Sequence, residues 1–401
     1  MHYFNPRMTS VMLVFGIFFT LSCATSNNST NLESTDQLTV DELQDRLAQL
    51  DNRLQDDVQN SSLTIEKASL LVKISEKINP PSQRLPYYRN LRDMADVNYA
   101  DQNVEQEIDH YVQKSWTFEQ SEGVKLLQQN PSAMDEPLTD EVISHFINAV
   151  TVNPDSLATY NLLANTYYRT NRYDQAIQTL ENALENIEPN PSEIREKLAY
   201  LYLESGNIDS SIRVYENLVD DYPERAQIRH GLANAYMLNS QHDSAILVLR
   251  DLIEDYPNRI EYKESLAGEL YFKFRSNALQ YINSGRTVSD TDRDDFLQKL
   301  DEVTSLYNEI DSTVPLSDEN AYRKAAYLKN SAGYLADLST DSTDNLFEEY
   351  RIELLNRSMT LWEKLSENNP DNISYIRNLY DVYVELGMTE EAESIKRSYN
   401  L

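Results

Sequence analysis

One cysteine, Cys23, stands in a chain of 401 residues, so no intramolecular disulfide can brace the fold. Histidine is almost as scarce. His2, His110, His145, His230 and His242 show no H-E-x-x-H spacing and have no cysteine partners, which removes the usual zinc and Cys/His nucleophile patterns. The eight glycines include no G-x-G and no G-x-x-x-x-G-K arrangement, so no phosphate-cradling loop is written, and no G-x-S-x-G elbow occurs. Hence no cofactor, no metal site and no catalytic residue is expected, and the chain does not read as an enzyme. Positive charge is the other shortage. Lys and Arg number 35 against 66 Asp and Glu, a net charge of −31 that repels phosphate backbones and argues against nucleic-acid partners. The acidic excess reads as a solvated surface, with an acidic docking face as the alternative.

Long apolar runs are missing except near the N-terminus. His2 and Arg7 precede an uncharged stretch from Val11 to Leu21, shorter than the roughly 20 residues that a bilayer-spanning helix needs, so residues 1–22 read as a secretory signal peptide. Leu21-Ser22-Cys23 resembles a bacterial lipoprotein signal, although Thr20 stands where that family usually has leucine. The resemblance implies cleavage that leaves a lipidated Cys23 as the new N-terminus; an ordinary signal peptide that happens to contain a cysteine is the other reading. With no aspartate at position 24, the family's sorting pattern implies the outer membrane. Residues 23–38 are rich in Ser, Thr and Asn and read as a flexible tether with a reach of about 20 Å.

From Val40 onward apolar residues return at helical spacing. Leu43, Leu47, Leu50 and Leu54 form a short seam, too short for a self-standing coiled coil, which predicts a helix packed on the end of the fold. Further helices are expected around 63–78, 83–98 and 101–129, the first ending at Pro80-Pro81. After a loop from Pro131 to Pro137, Thr139 with Asp140 and Glu141 reads as the next helix start.

The strongest signal lies between 157 and 257. Ala176, Ser211 and Ala245 recur at spacings of 35 and 34, and Leu163-Ala164, Leu198-Ala199 and Leu232-Ala233 keep step with them. So do Tyr167, Tyr202 and Tyr236, the turn residues Asn171, Gly206 and Ser240, and the closing prolines Pro189, Pro223 and Pro257. A fixed period of this length marks a repeat architecture in which a lone helix pair cannot bury its own apolar stripe. These residues resemble the tetratricopeptide repeat, with Tyr160, Arg195 and Arg229 in place of its tryptophan. The resemblance implies an all-α, right-handed α-α superhelix of about seven helix pairs over residues 101–401, behind N-terminal helices at 39–100. One degenerate copy precedes the three clear ones. Beyond Pro257 the copies stretch, with insertions expected in the turns inside each repeat, and Thr389 to Tyr399 closes the array as a polar cap.

The resemblance further implies a concave groove lined by fixed first-helix positions. Carried over by register, these are Asn161, Asn165, Tyr168, Arg169, Glu196, Tyr200, His230, Asn234, Met237 and Glu264. Asn side chains there suit the backbone of an extended peptide, whereas Arg169 alone is basic, too little for an acidic-tail clamp. Asp290, Asp292, Asp294 and Asp301 imitate a calcium loop, but Asp295 replaces the glycine its turn needs, so an acidic helix start is the expectation. The expected partners are proteins or peptides of the cell envelope. The expected function is an envelope-anchored scaffold, with a SusD-like glycan-binding lipoprotein as the alternative.

Overall fold

The computed structural model describes residues 37–130, 135–285, 287–313, 317–339 and 345–399. Cys23, the signal peptide and all but the last two tether residues lie outside the described residues, as does Pro315. Among the described residues the secondary structure is helical throughout, with seventeen α-helices and no strand. None of these helices is long and apolar enough to cross a membrane.

The N-terminal helices are α1 (Val40–Asp56), α2 (Ser61–Lys77) and α3 (Leu85–Ala95), followed by the long α4 (Gln102–Gln129) and α5 (Glu136–Val152). Thr39 starts α1 through a capping box, its backbone N–H donating to the Glu42 carboxylate while its hydroxyl accepts from the Glu42 amide. Leu43, Leu47 and Leu50 are buried within the chain, in one cluster with α2, α3, the start of α4 and Val152. The seam is thus packed on the fold and does not await a second chain. A buried carboxylate ties the next three helices together. Glu119 of α4 accepts from Arg84 Nη1 at 3.0 Å, Tyr88 Oη at 2.7 Å and His145 Nδ1 at 2.6 Å, and is itself fully buried. Burial pushes its carboxyl upward, but the hydrogen bonds from His145 and Tyr88 and the charges of His145 and Arg84 outweigh burial and hold it below the usual range.

The expected start of α5 at Thr139 is wrong by one turn. Asp135 caps the helix by accepting from the Leu138 amide at 3.1 Å, and Pro137 sits in the first turn, where its missing N–H costs nothing. Thr139 is instead a buried interior residue.

Three regular hairpins follow: α6 (Leu157–Arg169) with α7 (Tyr173–Asn186), α8 (Ser192–Glu204) with α9 (Ile208–Asp221), and α10 (Ala226–Leu238) with α11 (His242–Asp255). The chain reverses where the sequence places its turn residues. Asn171, Gly206 and Ser240 have φ of 57°, 81° and 57°, the left-handed region that Gly and Asn tolerate best. In each turn the next amide reaches back to a tyrosine carbonyl: Arg172 to Tyr167, Asn207 to Tyr202, Gln241 to Tyr236, at 2.8–2.9 Å. The helices then cross on small residues. Ala176, Ala199, Ser211, Ala233 and Ala245 are all fully buried, and the Ser211 hydroxyl donates to the Ala199 carbonyl at 2.7 Å.

The three residues in place of tryptophan keep one link in two chemistries. Tyr160 Oη accepts from Asn186 at 3.2 Å, Arg195 pairs with Asp221 at 2.6 Å, and Arg229 pairs with Asp255 at 2.7 Å. The two guanidinium groups also lie over Tyr222 and Tyr256. Each therefore fastens the first helix of its repeat to the end of the second.

The later hairpins are α12 (Ile260–Ser284) with α13 (Asp290–Thr313) and α14 (Asp318–Ser339) with α15 (Leu346–Asn368); α16 (Ile373–Glu385) and α17 (Thr389–Tyr399) end the array. The expected insertions in the turns are instead added helical turns. Ser358 donates to the Ala325 carbonyl at 2.8 Å across 33 residues, the counterpart of the Ser211–Ala199 bond across 12. The helices continue because the extra residues stay amphipathic: Phe274 and Ala278 face Phe296 and Leu300 in one fully buried cluster. At the head of α13, Asp290 and Asp294 both pair with Arg293, and Ser289 accepts from the Asp292 amide, so these aspartates form an acidic first turn.

Candidate functional site

First helices of successive repeats lie side by side, α8 next to α10 and α12 next to α14. Since each buries one stripe against its second helix, the opposite side chains of neighbouring first helices share one face.

Several of the residues carried onto this face are already engaged with a neighbouring repeat. Asn161 accepts from Lys197 Nζ at 2.5 Å, and the hydroxyls of Tyr168 and Tyr200 meet at 3.0 Å with their rings edge to face. Glu196 pairs with Arg225 at 2.8 Å. His230 packs edge-on against Tyr262 at 5.0 Å. Burial perturbs this row. It pushes Tyr200 upward, helped by the bonds to Tyr168 and Glu204, and pushes Lys197 and His230 downward and Glu264 upward. Arg169 is exposed and has a partner of its own. Asn165 is exposed and Asn234 half-buried, and neither side chain makes a hydrogen bond to the described residues. Met237 is half-buried at the rim of the core. Asn165, Asn234 and Met237 are therefore the inner-face residues with contact capacity to spare.

Three tyrosine hydroxyls are committed to the seams. Tyr202, Tyr236 and Tyr383 donate to Glu181, Glu216 and Glu363 of the preceding helix at 2.7–2.9 Å, one repeated tie between neighbouring repeats.

Sequence reasoning missed a recess among the later helices. Among the described residues an open cleft of about 840 Å³ lies between α12, α14, the start of α15 and the end of α16. Tyr271, Arg275, Lys329, Asn330, Tyr334, Asp337, Arg351 and Glu385 line it. Tyr271 was within reach of the register argument, five residues after Leu266 as Tyr168 is after Leu163. Arg275, Tyr334 and Asp337 were not, because they stand beyond the point where a regular first helix ends, and Arg351 belongs to a second helix; Lys329, Asn330 and Glu385 fall within the regular length but were not among the positions carried over. Burial drives the Tyr271 hydroxyl up to about 12 and raises the Glu385 carboxyl, the latter against the nearby charges of Lys329 and Arg351. Among the described residues no cluster of His, Cys, Asp and Glu has metal-site geometry.

The tetratricopeptide repeat family model matches residues 134–201 and 202–268, which adds α5 before the three clear copies and the first part of α12 after them. The chain thus carries tetratricopeptide repeats. No curated protein matches it. Solved structures that it resembles include MamA from Desulfovibrio magneticus, at 13% identity over 48% of this chain and 96% of that one, with a TM-score of 0.35. Pseudomonas aeruginosa pilF matches at 12% identity over 60% and 99%, with a TM-score of 0.37. A tetratricopeptide repeat protein from Parabacteroides merdae matches at 14% over 67% and 99%, with a TM-score of 0.41. These likenesses carry no argument about function.

Proposed function

We propose that the chain is an extracytoplasmic scaffold, held at the outer membrane by a lipid on Cys23, that binds protein partners in the cell envelope along the inner face of its repeats. Tetratricopeptide repeats act as protein-interaction scaffolds, and the observation that carries the reading here is the set of uncommitted side chains on two first helices of the clear repeats, Asn165 on α6 and Asn234 and Met237 on α10. An asparagine amide pairs donor and acceptor with a peptide group, and methionine adapts to varied apolar surfaces. A solenoid presents such groups at fixed intervals, which suits an extended segment better than a small molecule.

Replacing Asn165, Asn234 and Met237 together with alanine is expected to weaken partner capture by roughly tenfold or more, since each lost hydrogen bond contributes about 1 kcal/mol. Crosslinking in the native envelope followed by mass spectrometry measures this, with circular dichroism checking that the helices remain. Undiminished capture by the triple variant ends the groove reading. The anchor is tested separately: Cys23→Ser is expected to move the protein from the membrane to the soluble fraction, and unchanged fractionation removes the lipid from the account.

A further inference from the structure

The cleft between α12, α14 and α16 owes its existence to the elongated helices. In the regular repeats the first helix ends six residues after its leucine, at Arg169, Glu204 and Leu238. Arg275 comes nine residues after Leu266 and belongs to the added turns of α12, and Tyr334 belongs to those of α14. Arg351 lies in the added first turns of α15, seven residues before Ser358, whereas regular second helices begin three residues before the equivalent small residue.

The cleft gathers cations in a chain that is short of them, and their pairing is unequal. Lys329 donates to Asn378 at 3.0 Å and to Asp381 at 2.6 Å. Arg351 is bidentate on Glu348 at 2.8 Å and has Glu385 at 3.8 Å. Arg275 differs. It donates Nε to Tyr334 Oη at 2.9 Å, and no carboxylate of the described residues lies within ion-pair distance of it. A neutral phenol fixes the guanidinium from one side and leaves its terminal nitrogens to the cleft, the fork geometry that matches a carboxylate. Beside it, a Cβ placed on Gly333 would meet nothing within 4 Å, so the floor next to Tyr271 and Tyr334 has room for a side chain.

We infer that this cleft is a binding site for a single carboxylate of a peptide partner, with Arg275 taking the carboxylate and the space over Gly333 taking the adjoining apolar group. Asp337 and Glu385, which also line the cleft, make the site selective for one negative charge and hostile to runs of them. The inference deepens the scaffold reading and rests on it. It does not choose between a chain terminus and an acidic side chain, which share the chemistry.

The test uses one peptide, Gly-Ser-Gly-Tyr-Glu, labelled at its N-terminus with an uncharged BODIPY dye, in four forms: unmodified, C-terminally amidated, with Gln for Glu, and with both changes. Fluorescence anisotropy against the full chain is expected to show binding of every form that keeps a carboxylate. The doubly neutral form should bind at least about tenfold more weakly, the loss of one charge-assisted pair. The two singly neutral forms tell the terminus from the side chain. Arg275→Gln is expected to lose the same factor for the charged forms and nothing for the neutral one. Gly333→Leu, which adds a good helix former and fills the floor, should weaken all forms with its melting temperature held or raised. Equal binding of the neutral form, unchanged affinity in Arg275→Gln, or no binding of any form at millimolar peptide overturns the assignment. Any of these outcomes leaves the scaffold reading standing, because that reading is judged by capture along the regular repeats.

Discussion

The regular hairpins pair helices of 13 and 14 residues, while the two elongated ones pair helices of 25 with 24 and 22 with 23. Both kinds cross on the same small residues, as the matching serine bonds of Ser211 and Ser358 show. Length has been added beyond the crossing, and the crossing itself is untouched. A repeat array can therefore acquire a recess without altering the geometry by which its units stack, provided that the added turns bury an apolar stripe of their own.

That provision is open to attack. Phe274 is fully buried among residues of the added turns, edge to face with Phe296 at 5.8 Å and with Tyr334 at 6.2 Å. Phe274→Ala is expected to cost about 3–5 kcal/mol, comparable to a core truncation in a regular hairpin such as Leu180→Ala. Urea denaturation measures both, and a cost under about 1 kcal/mol for Phe274→Ala would mean that the extension is a passive arm.

Two glycines sharpen the contrast next. A Cβ on Gly231, in the regular α10, would lie 2.5 Å from the buried ring of Tyr215, whereas a Cβ on Gly268, in the elongated α12, would meet nothing within 4 Å. Gly231→Ala is expected to destabilise by about 1–3 kcal/mol through overpacking. Gly268→Ala should stabilise by about 0.5–1 kcal/mol through helix propensity alone. Shifts of the same sign in the two melting curves would contradict the packing described.

The smallest effect tests the shared crossing. Ser211→Ala and Ser358→Ala each remove one buried hydroxyl bond and should cost about 1 kcal/mol, in step with each other. A difference larger than the cost itself would show that the two kinds of hairpin cross differently.

The crossing and the turns were legible from single residues. Ala176, Ser211 and Ala245 announce close approach by their size, and Asn171, Gly206 and Ser240 announce a left-handed turn by their tolerance of positive φ. The elongation was half legible: the stretched spacing after Pro257 was plain, yet the stripe through Phe274 and Ala278 was not followed past Tyr271, so added turns were taken for loops. Thr139 misled because a good capping residue followed by acids is also a good buried residue, and only Asp135 with Pro137 had the geometry to start α5. Of the candidate site, the register named first-helix positions but could not say which were already engaged across the joint between repeats.

Period and residue size were enough to dictate an all-helical repeat array, because a helix pair with one small-and-large stripe has no other way to cover it. Which polar groups remain free on the inner face was decided only by tertiary structure. The partners of Asn161, Tyr168 and Glu196 come from 29 to 36 residues away, across the joint between repeats. Hydrogen bonds require donor and acceptor within about 3 Å, so whether Lys197 reaches Asn161 or Arg275 meets the Tyr334 hydroxyl depends on how neighbouring helices sit, which no residue carries by itself.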